Sequence, residues 1–293
     1  MTKLLNEVID HYPQLKYTLL DVQTFDPEHF GFSSLAYTMM ETDKARVDAF
    51  VKGFKKFDFF KDKIVCEGGI GRLALTEHYL PYVKKAYLIE NNPNILPLIK
   101  DNIARNGWSH KVELLEENAL TVKLPEPVDH TIGELMSIYC ANEMQVQIFK
   151  NLRQFLKPGG KLFPERVVNL VQLGYTEFDG KYKHFPVLGT RYWPTLLSSQ
   201  EVVNITNLYT EEDLTVRCTI PLKIRLTGKL NCVFLHSWVQ VTEGANFAGS
   251  DSLMPPTVVE LEETVDVQAG TTVNLEVYYE YGTSLDYARF RIV

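Results

Sequence analysis

The period of the apolar positions changes near residue 165, and the change divides the chain into two kinds of structure. Before it, short apolar runs alternate with stretches whose apolar residues recur every three or four positions, as when strands alternate with helices. Residues 43–57 carry Val47, Phe50, Val51 and Phe54 at i, i+3, i+4 and i+7 and predict a helix. Ile64-Val65-Cys66 reads as a buried strand. It leads into the turn Glu67-Gly68-Gly69-Ile70-Gly71 and a predicted helix with Leu73, Leu75, Tyr79 and Leu80 on its apolar side. A second strand over 86–89 ends on an acid, Glu90. The pattern then predicts a helix over 93–106, a strand over 112–115, and a strand over 130–133 that ends on Glu134. A helix over about 143–156 is expected to break at Lys157-Pro158-Gly159-Gly160, before a fifth strand over 161–163. Alternation of this kind builds a parallel sheet with helices on both faces.

After Pro164 the helical period is almost absent, and alternating runs such as 167–171, 232–235 and 272–277 predict strands. Upstream, residues 4–11 predict a short helix and the aromatic, turn-rich stretch 25–34 a packed loop. The expected organisation is an N-terminal segment (1–42), a Rossmann-like doubly wound α/β domain (43–165) and an all-β, barrel-like domain (166–293). No flexible linker separates the last two, so they are expected to pack as one unit.

Composition excludes several function classes. With 45% hydrophobic and 23% charged residues over 293 positions, the chain has the make-up of an ordinary globular protein. A net charge of −7 gives no general basic field, so neither nucleic acid nor an anionic membrane is an expected partner. No run approaches the roughly 20 apolar residues of a membrane span. The first residues, MTKLLNEVIDHYPQL, carry acids inside their apolar stretch and do not resemble a signal peptide, so a cytoplasmic location is expected. Cys66, Cys140, Cys218 and Cys232 are widely spaced without a C-x-x-C pair, which suggests reduced thiols and no metal site.

The glycine turn is where chemistry enters. Gly69-x-Gly71-x-x-Ala74 satisfies a dinucleotide fingerprint, with Glu90 near the spacing of a ribose-binding acid. The same letters satisfy the acid-x-Gly-x-Gly turn that binds S-adenosylmethionine. Charge separates the two. A pyrophosphate over the turn wants bare N–H groups and a helix N-terminus, and Glu67 would repel it. S-adenosylmethionine carries a sulfonium and an ammonium, which Glu67 would stabilise. The glycines then allow the backbone to approach the ligand closely.

Open α/β sheets bind ligands at the C-terminal ends of their strands. Glu67, Glu90, Asn118 and Glu134 all fall at such ends. Glu90 suits ribose hydroxyls, because a carboxylate accepts two hydrogen bonds. Asn118 can meet an adenine edge or simply cap its own loop. Glu134 and Glu143 bracket a short loop, and paired carboxylates there can grip a cationic nitrogen and orient its lone pair. Alternatively, Glu143 sits in a first helical turn because the dipole favours an acid. Aromatic residues of the second half, among them Tyr182 and Tyr192, can line a pocket or fill a core; His236 is a candidate general base.

Together these residues resemble a class I S-adenosylmethionine-dependent methyltransferase of the protein arginine methyltransferase family. The glycine turn, Glu90, the double-glutamate loop, KPGGKLFPER, and Met40-x-x-Asp43-x-x-Arg46 upstream occur in the family's order. The resemblance implies that Arg46 binds the methionine carboxylate, and that Glu67, Gly69 and Gly71 line the methionine and ribose portion. Glu90 would then meet the ribose, Asn118 the adenine, and Glu134 and Glu143 the acceptor nitrogen. Departures fall on the substrate side. The family's third turn glycine is Leu73, its Thr-His-Trp loop maps onto Ser252-Leu253-Met254, and its N-terminal cap survives only as residues 24–28. The region that carries its dimerisation arm, between Glu165 and Cys218, is short. These losses favour N-methylation of a small-molecule or amino-acid-like acceptor, as in bacterial specialised metabolism. The alternatives are methylation of arginine in a protein, reaction at the aminopropyl carbon of the cofactor, and cofactor binding without catalysis.

Overall fold

The computed structural model describes residue 37 and residues 40–178, 180, 183–187 and 193–293. The expected helix over 4–11, the loop over 25–34, Tyr182 and Tyr192 lie outside the described residues. The first described helix, α1 (Lys44–Lys56), begins where Asp43 caps it, its carboxylate accepting the Arg46 N–H, and ends at Phe57. Its apolar stripe faces both halves of the molecule. Phe54 packs edge-on against Tyr79 and Phe163 of the first half, while Phe50 meets Phe247 of the second. Both rings are fully buried, each worth roughly 1.5–3 kcal/mol.

The α/β half is a five-stranded parallel sheet. Its strands are β1 (Ile64–Gly68), β2 (Lys85–Ile89), β3 (Val112–Leu115), β4 (Val128–Gly133) and β5 (Leu156–Phe163). They lie in the order β3-β2-β1-β4-β5, so the chain reverses direction across the sheet between β1 and β4. The connecting helices are α2 (Thr76–Tyr79), α3 (Leu96–Arg105) and α4 (Gln145–Leu152).

Two elements differ from the sequence reading. The helix after the glycine turn is only four residues long, and Leu73 shows why. Its φ is +73°, a left-handed conformation that no helix can incorporate, yet its side chain is almost fully buried. Burial of the leucine holds a backbone strained by roughly 1–2 kcal/mol. This reverses the usual order of small substitutions. We expect Leu73→Gly, which relieves the strain, to be less destabilising than Leu73→Ala by about 1 kcal/mol, although both lose the buried side chain. Urea-unfolding midpoints check this; a less stable glycine variant would contradict it. Second, Lys157-Pro158-Gly159-Gly160 does not precede β5 but lies inside it. Between the pairs Val128↔Leu156 and His130↔Lys161, β5 advances further than β4, and the extra residues bulge from the edge of the sheet.

After Phe163 the described residues form ten strands and two short 3-10 turns (Gly249–Asp251 and Leu285–Tyr287); the strands are β6 (Arg166–Tyr175), β7 (His184–Pro186), β8 (Thr195–Leu196), β9 (Glu201–Asn207), β10 (Thr215–Lys223), β11 (Gly228–Thr242), β12 (Ala245–Ala248), β13 (Thr257–Val267), β14 (Thr272–Glu280) and β15 (Arg289–Ile292). One sheet runs β7-β13-β11-β6-β8, with β12 on β11 and β9 on β6; a smaller one runs β10-β14-β15. The main hydrophobic core continues from Phe54 and Leu88 of the first half through Val167, Leu235 and Leu275 of the second, with two smaller clusters beside it. Cys66, Cys140 and Cys232 are buried free thiols. Among the described residues, no helix is long and apolar enough to cross a membrane.

Candidate functional site

Three acids mark the C-terminal edge of the parallel sheet because its strands are in register. Gly68 of β1 pairs with Ile89 of β2 and with Gly133 of β4, so Glu90 and Glu134 follow at matching heights beside the turn that Glu67 precedes. Their carboxylates have different surroundings.

Glu67 turns one oxygen into the protein, where it accepts the hydroxyls of Thr76 (2.7 Å) and Tyr79 (2.5 Å). Burial pushes its pKa up to about 7, against the two hydroxyls and with help from Glu134. Beyond it, Gly69 and Gly71 both have positive φ, at +69° and +51°. A side-chain carbon on Gly69 would lie 2.4 Å from a Leu135 methyl, which would have to shift, and the positive φ disfavours any side chain at this position.

Glu90 closes the turn. It accepts the N–H of Gly71 on one oxygen and those of Asn91 and Asn92 on the other, at 2.9–3.1 Å. Burial raises its pKa while these bonds lower it. A carboxylate offers about four lone-pair positions, so one remains for a ligand hydroxyl beyond these three. The turn is further fixed by Arg72, which grips Glu41 through two 2.6 Å hydrogen bonds.

Arg46 joins α1 to the glutamate loop. Its guanidinium donates to Glu134 (2.9 Å) and to the Met40 carbonyl (2.7 Å), and pairs with Asp43 at 3.5 Å. It carries more N–H donors than these contacts use. Asp43 also accepts the Leu253 N–H at 2.7 Å, which ties α1 to the loop standing in for Thr-His-Trp.

Glu134 contacts this guanidinium directly, and Glu143 lies within electrostatic reach of both. Burial raises the Glu134 pKa, which Arg46 lowers and Asp43 raises. Glu143 is pushed up to about 8 by burial and then by Glu134, against Arg46. Its N–H donates to Ser137, but among the described residues its carboxylate has no hydrogen-bond partner. Asp43 and Glu134 thus both contact Arg46, which leaves the nearby Glu143 carboxyl without a cation of its own.

Two sequence candidates sit apart from this cluster. Asn118 is exposed, and its side-chain oxygen accepts the Leu120 N–H, so this oxygen caps its own loop. His236 projects from β11 on the side opposite Ser237, the residue that meets the glutamate loop. Its Nε2 is buried without a partner among the described residues, and burial lowers its pKa. The structure does not bring it to either glutamate. Sequence reasoning quoted Asp43 in a motif without giving it a role, and missed Thr76 and Tyr79 as partners of the site. Asp43 carried a signal, since an aspartate before a periodic apolar run reads as a helix cap; the hydroxyls of Thr76 and Tyr79 carried none.

These groups fit S-adenosylmethionine. Arg46 retains donors for a carboxylate, Glu90 retains an acceptor position for a ribose hydroxyl, and the excess of carboxylates suits a sulfonium. Among the described residues, no cluster of His, Cys, Asp and Glu could hold a metal ion.

Comparison with known proteins agrees in direction. The family model described as PRMT5 arginine-N-methyltransferase matches residues 18–163. The histone-arginine methyltransferases CARMER of Drosophila ananassae and Drosophila persimilis are each 29% identical over 140 residues, 47% of this chain and 26% of theirs. The chain therefore spans about a quarter of the length of the curated relatives it matches. Two solved structures share the fold over most of the chain. The Trypanosoma brucei PRMT1 enzyme–prozyme heterotetrameric complex with AdoHcy aligns with a TM-score of 0.72 at 16% identity, over 82% of this chain and 86% of that one. Arabidopsis thaliana protein arginine methyltransferase 10 aligns with a TM-score of 0.73 at 15% identity, over 84% and 87%.

Proposed function

We propose that this chain, which resembles the protein arginine methyltransferases in its family match and in its fold, is an S-adenosylmethionine-dependent enzyme that methylates arginine side chains of proteins. The observation that carries this reading is the unpartnered carboxyl of the glutamate pair. The Glu143 carboxyl has no hydrogen-bond partner among the described residues, while the nearby Arg46 guanidinium is taken by Glu134 and Asp43. A second guanidinium supplies the missing partner, and its planar fork matches a pair of carboxylates. A cationic small molecule would satisfy the same carboxyl, so the preference for a protein substrate over the metabolite expected from the lost barrel motifs rests on the family match.

When bound, S-adenosylmethionine supplies an electrophilic methyl group on its sulfonium. The residues of the chain do the rest by placement. Arg46 holds the cofactor carboxylate with its remaining N–H groups, and Glu90 accepts a ribose hydroxyl. Glu143, protonated at neutral pH in the absence of ligand, gives up its proton as the cationic acceptor arrives. Glu134 and Glu143 then accept the guanidinium N–H groups and orient the reacting nitrogen. They also take the proton that this nitrogen loses on methylation. Glu67 supports the turn from beneath, through Thr76 and Tyr79. A cytoplasmic location belongs to the same proposal.

Incubating the purified chain with S-adenosylmethionine and either an arginine-containing peptide or a metabolite pool tests this. Methylarginine in the peptide and S-adenosylhomocysteine in solution are expected. Methylation confined to the metabolite pool overturns the substrate assignment. Methylthioadenosine as product overturns methyl transfer itself.

A further inference from the structure

We propose that a buried polar network in the β-rich half, centred on Asn169 and Ser237, is the positioning apparatus of the glutamate loop and fixes how Glu134 and Glu143 face each other. This inference deepens the proposed function and rests on it.

Between the two glutamates the backbone takes an unusual course. Tyr139 and Cys140 are consecutive residues with positive φ, at +59° and +51°, and both are buried. Neither is glycine, so each costs roughly 1–2 kcal/mol and persists only where its surroundings impose it.

The surroundings are polar and come from the other half of the chain. The Tyr139 N–H donates to the Ser237 hydroxyl at 3.0 Å, and that hydroxyl donates to the Asn169 side-chain oxygen at 2.8 Å. Asn169 donates onward to Asn204 and to the Tyr279 hydroxyl, each at 3.1 Å, and Tyr279 donates to Asn204 at 2.8 Å. Strands β6, β9, β11 and β14 thus each contribute one side chain. At the loop itself, the Tyr139 hydroxyl donates to the Leu170 carbonyl at 2.8 Å, and the Cys140 carbonyl accepts the Gly282 N–H at 2.9 Å. The Tyr139 and Tyr279 rings pack 5.0 Å apart.

A stability role alone does not account for this arrangement. Apolar side chains would fill the same space between sheets at no cost in desolvation. They could not accept the Tyr139 N–H, which would then be a buried donor without a partner. What the network supplies is a fixed position for one peptide between the two glutamates, reached from behind. Asn169 and Ser237 touch none of the reacting groups, so they are positioning residues.

Ser237→Ala and Tyr279→Phe test the proposal, with Ser237→Thr as the conservative variant that keeps the hydroxyl. For Ser237→Ala we expect kcat to fall about 10–100-fold with S-adenosylmethionine affinity within about two-fold, because the acceptor is misplaced and the cofactor groups are untouched. Hydrogen exchange over residues 137–143 should rise about ten-fold or more, since the loop loses its anchor. The Glu143 carboxyl, followed by NMR, should titrate closer to its ordinary range as water reaches the loop. Ser237→Thr should recover most of the loss. Tyr279→Phe, which removes a single hydroxyl, should move every readout in the same direction by less and decides the matter if Ser237→Ala does not fold. Wild-type kcat, exchange and titration in a variant with only a lowered melting temperature overturns the proposal. If the wild-type chain methylates no acceptor, the proposed function fails, while exchange and titration still decide the positioning role.

Discussion

Glu143→Gln is expected to lower turnover by about 10²–10³-fold while S-adenosylmethionine affinity stays nearly unchanged. The glutamine keeps the shape and removes the charge that holds and orients a cationic nitrogen. The variant should also differ from the wild type in stability, with a sign that follows from the raised pKa. In the folded protein Glu143 keeps its proton up to about pH 8, against an ordinary value of 4.5. The contribution of this group to stability is therefore complete below about pH 4.5 and lost as pH rises through 8. Glutamine resembles the protonated acid at every pH. Melting temperatures of variant and wild type should coincide at low pH, and the variant should be the more stable above pH 8. Wild-type kcat/KM for a cationic acceptor should rise through the same pH interval. Steady-state kinetics, titration calorimetry and melting curves at acid and alkaline pH check these outcomes. Full turnover in the variant would remove the glutamate pair from the mechanism.

Arg46→Ala is expected to cost about 3–5 kcal/mol of stability, the range for breaking a buried ion pair by deleting one partner. It leaves Asp43 and Glu134 facing each other with no cation between them, and it frees the Met40 carbonyl. For a chain of this size the melting temperature should drop by about 6–20 °C, at roughly 2–4 °C per kcal/mol. The loss should shrink in acid, where Glu134, its pKa already raised by burial, protonates. Cofactor affinity should fall with it. Arg46→Lys keeps the charge but not the fork, so it cannot serve three acceptors together and should land between wild type and alanine. Near-normal stability of Arg46→Ala at neutral pH would mean that the carboxylates find another partner.

The parallel sheet was legible in the sequence because its strands are short apolar runs bounded by turns, and β3 matched its predicted bounds of 112–115. The acids at strand ends were legible for the same reason: register carries Glu90 and Glu134 to the edge that holds the glycine turn. What could not be read were contacts made across large separations in the chain. Nothing in the local pattern pairs Glu67 with the Tyr79 hydroxyl, Arg46 with Glu134, or Ser237 with Tyr139. The helix after the turn failed for a local reason, since Leu73 is an ordinary helix former placed in a conformation that glycine would normally take. His236 misled because a strand alternates faces, and a histidine and a serine one position apart address opposite sides of β11.

The joint between Asp43 and Leu253 is made by a main-chain N–H, so it does not depend on which side chain occupies position 253. Any residue except proline can supply that donor. A motif search that looks for histidine here registers a loss, while the mechanical link between helix α1 and the barrel loop persists. The identity of residue 253 can therefore drift to suit a different substrate rim without loosening the helix that holds Arg46.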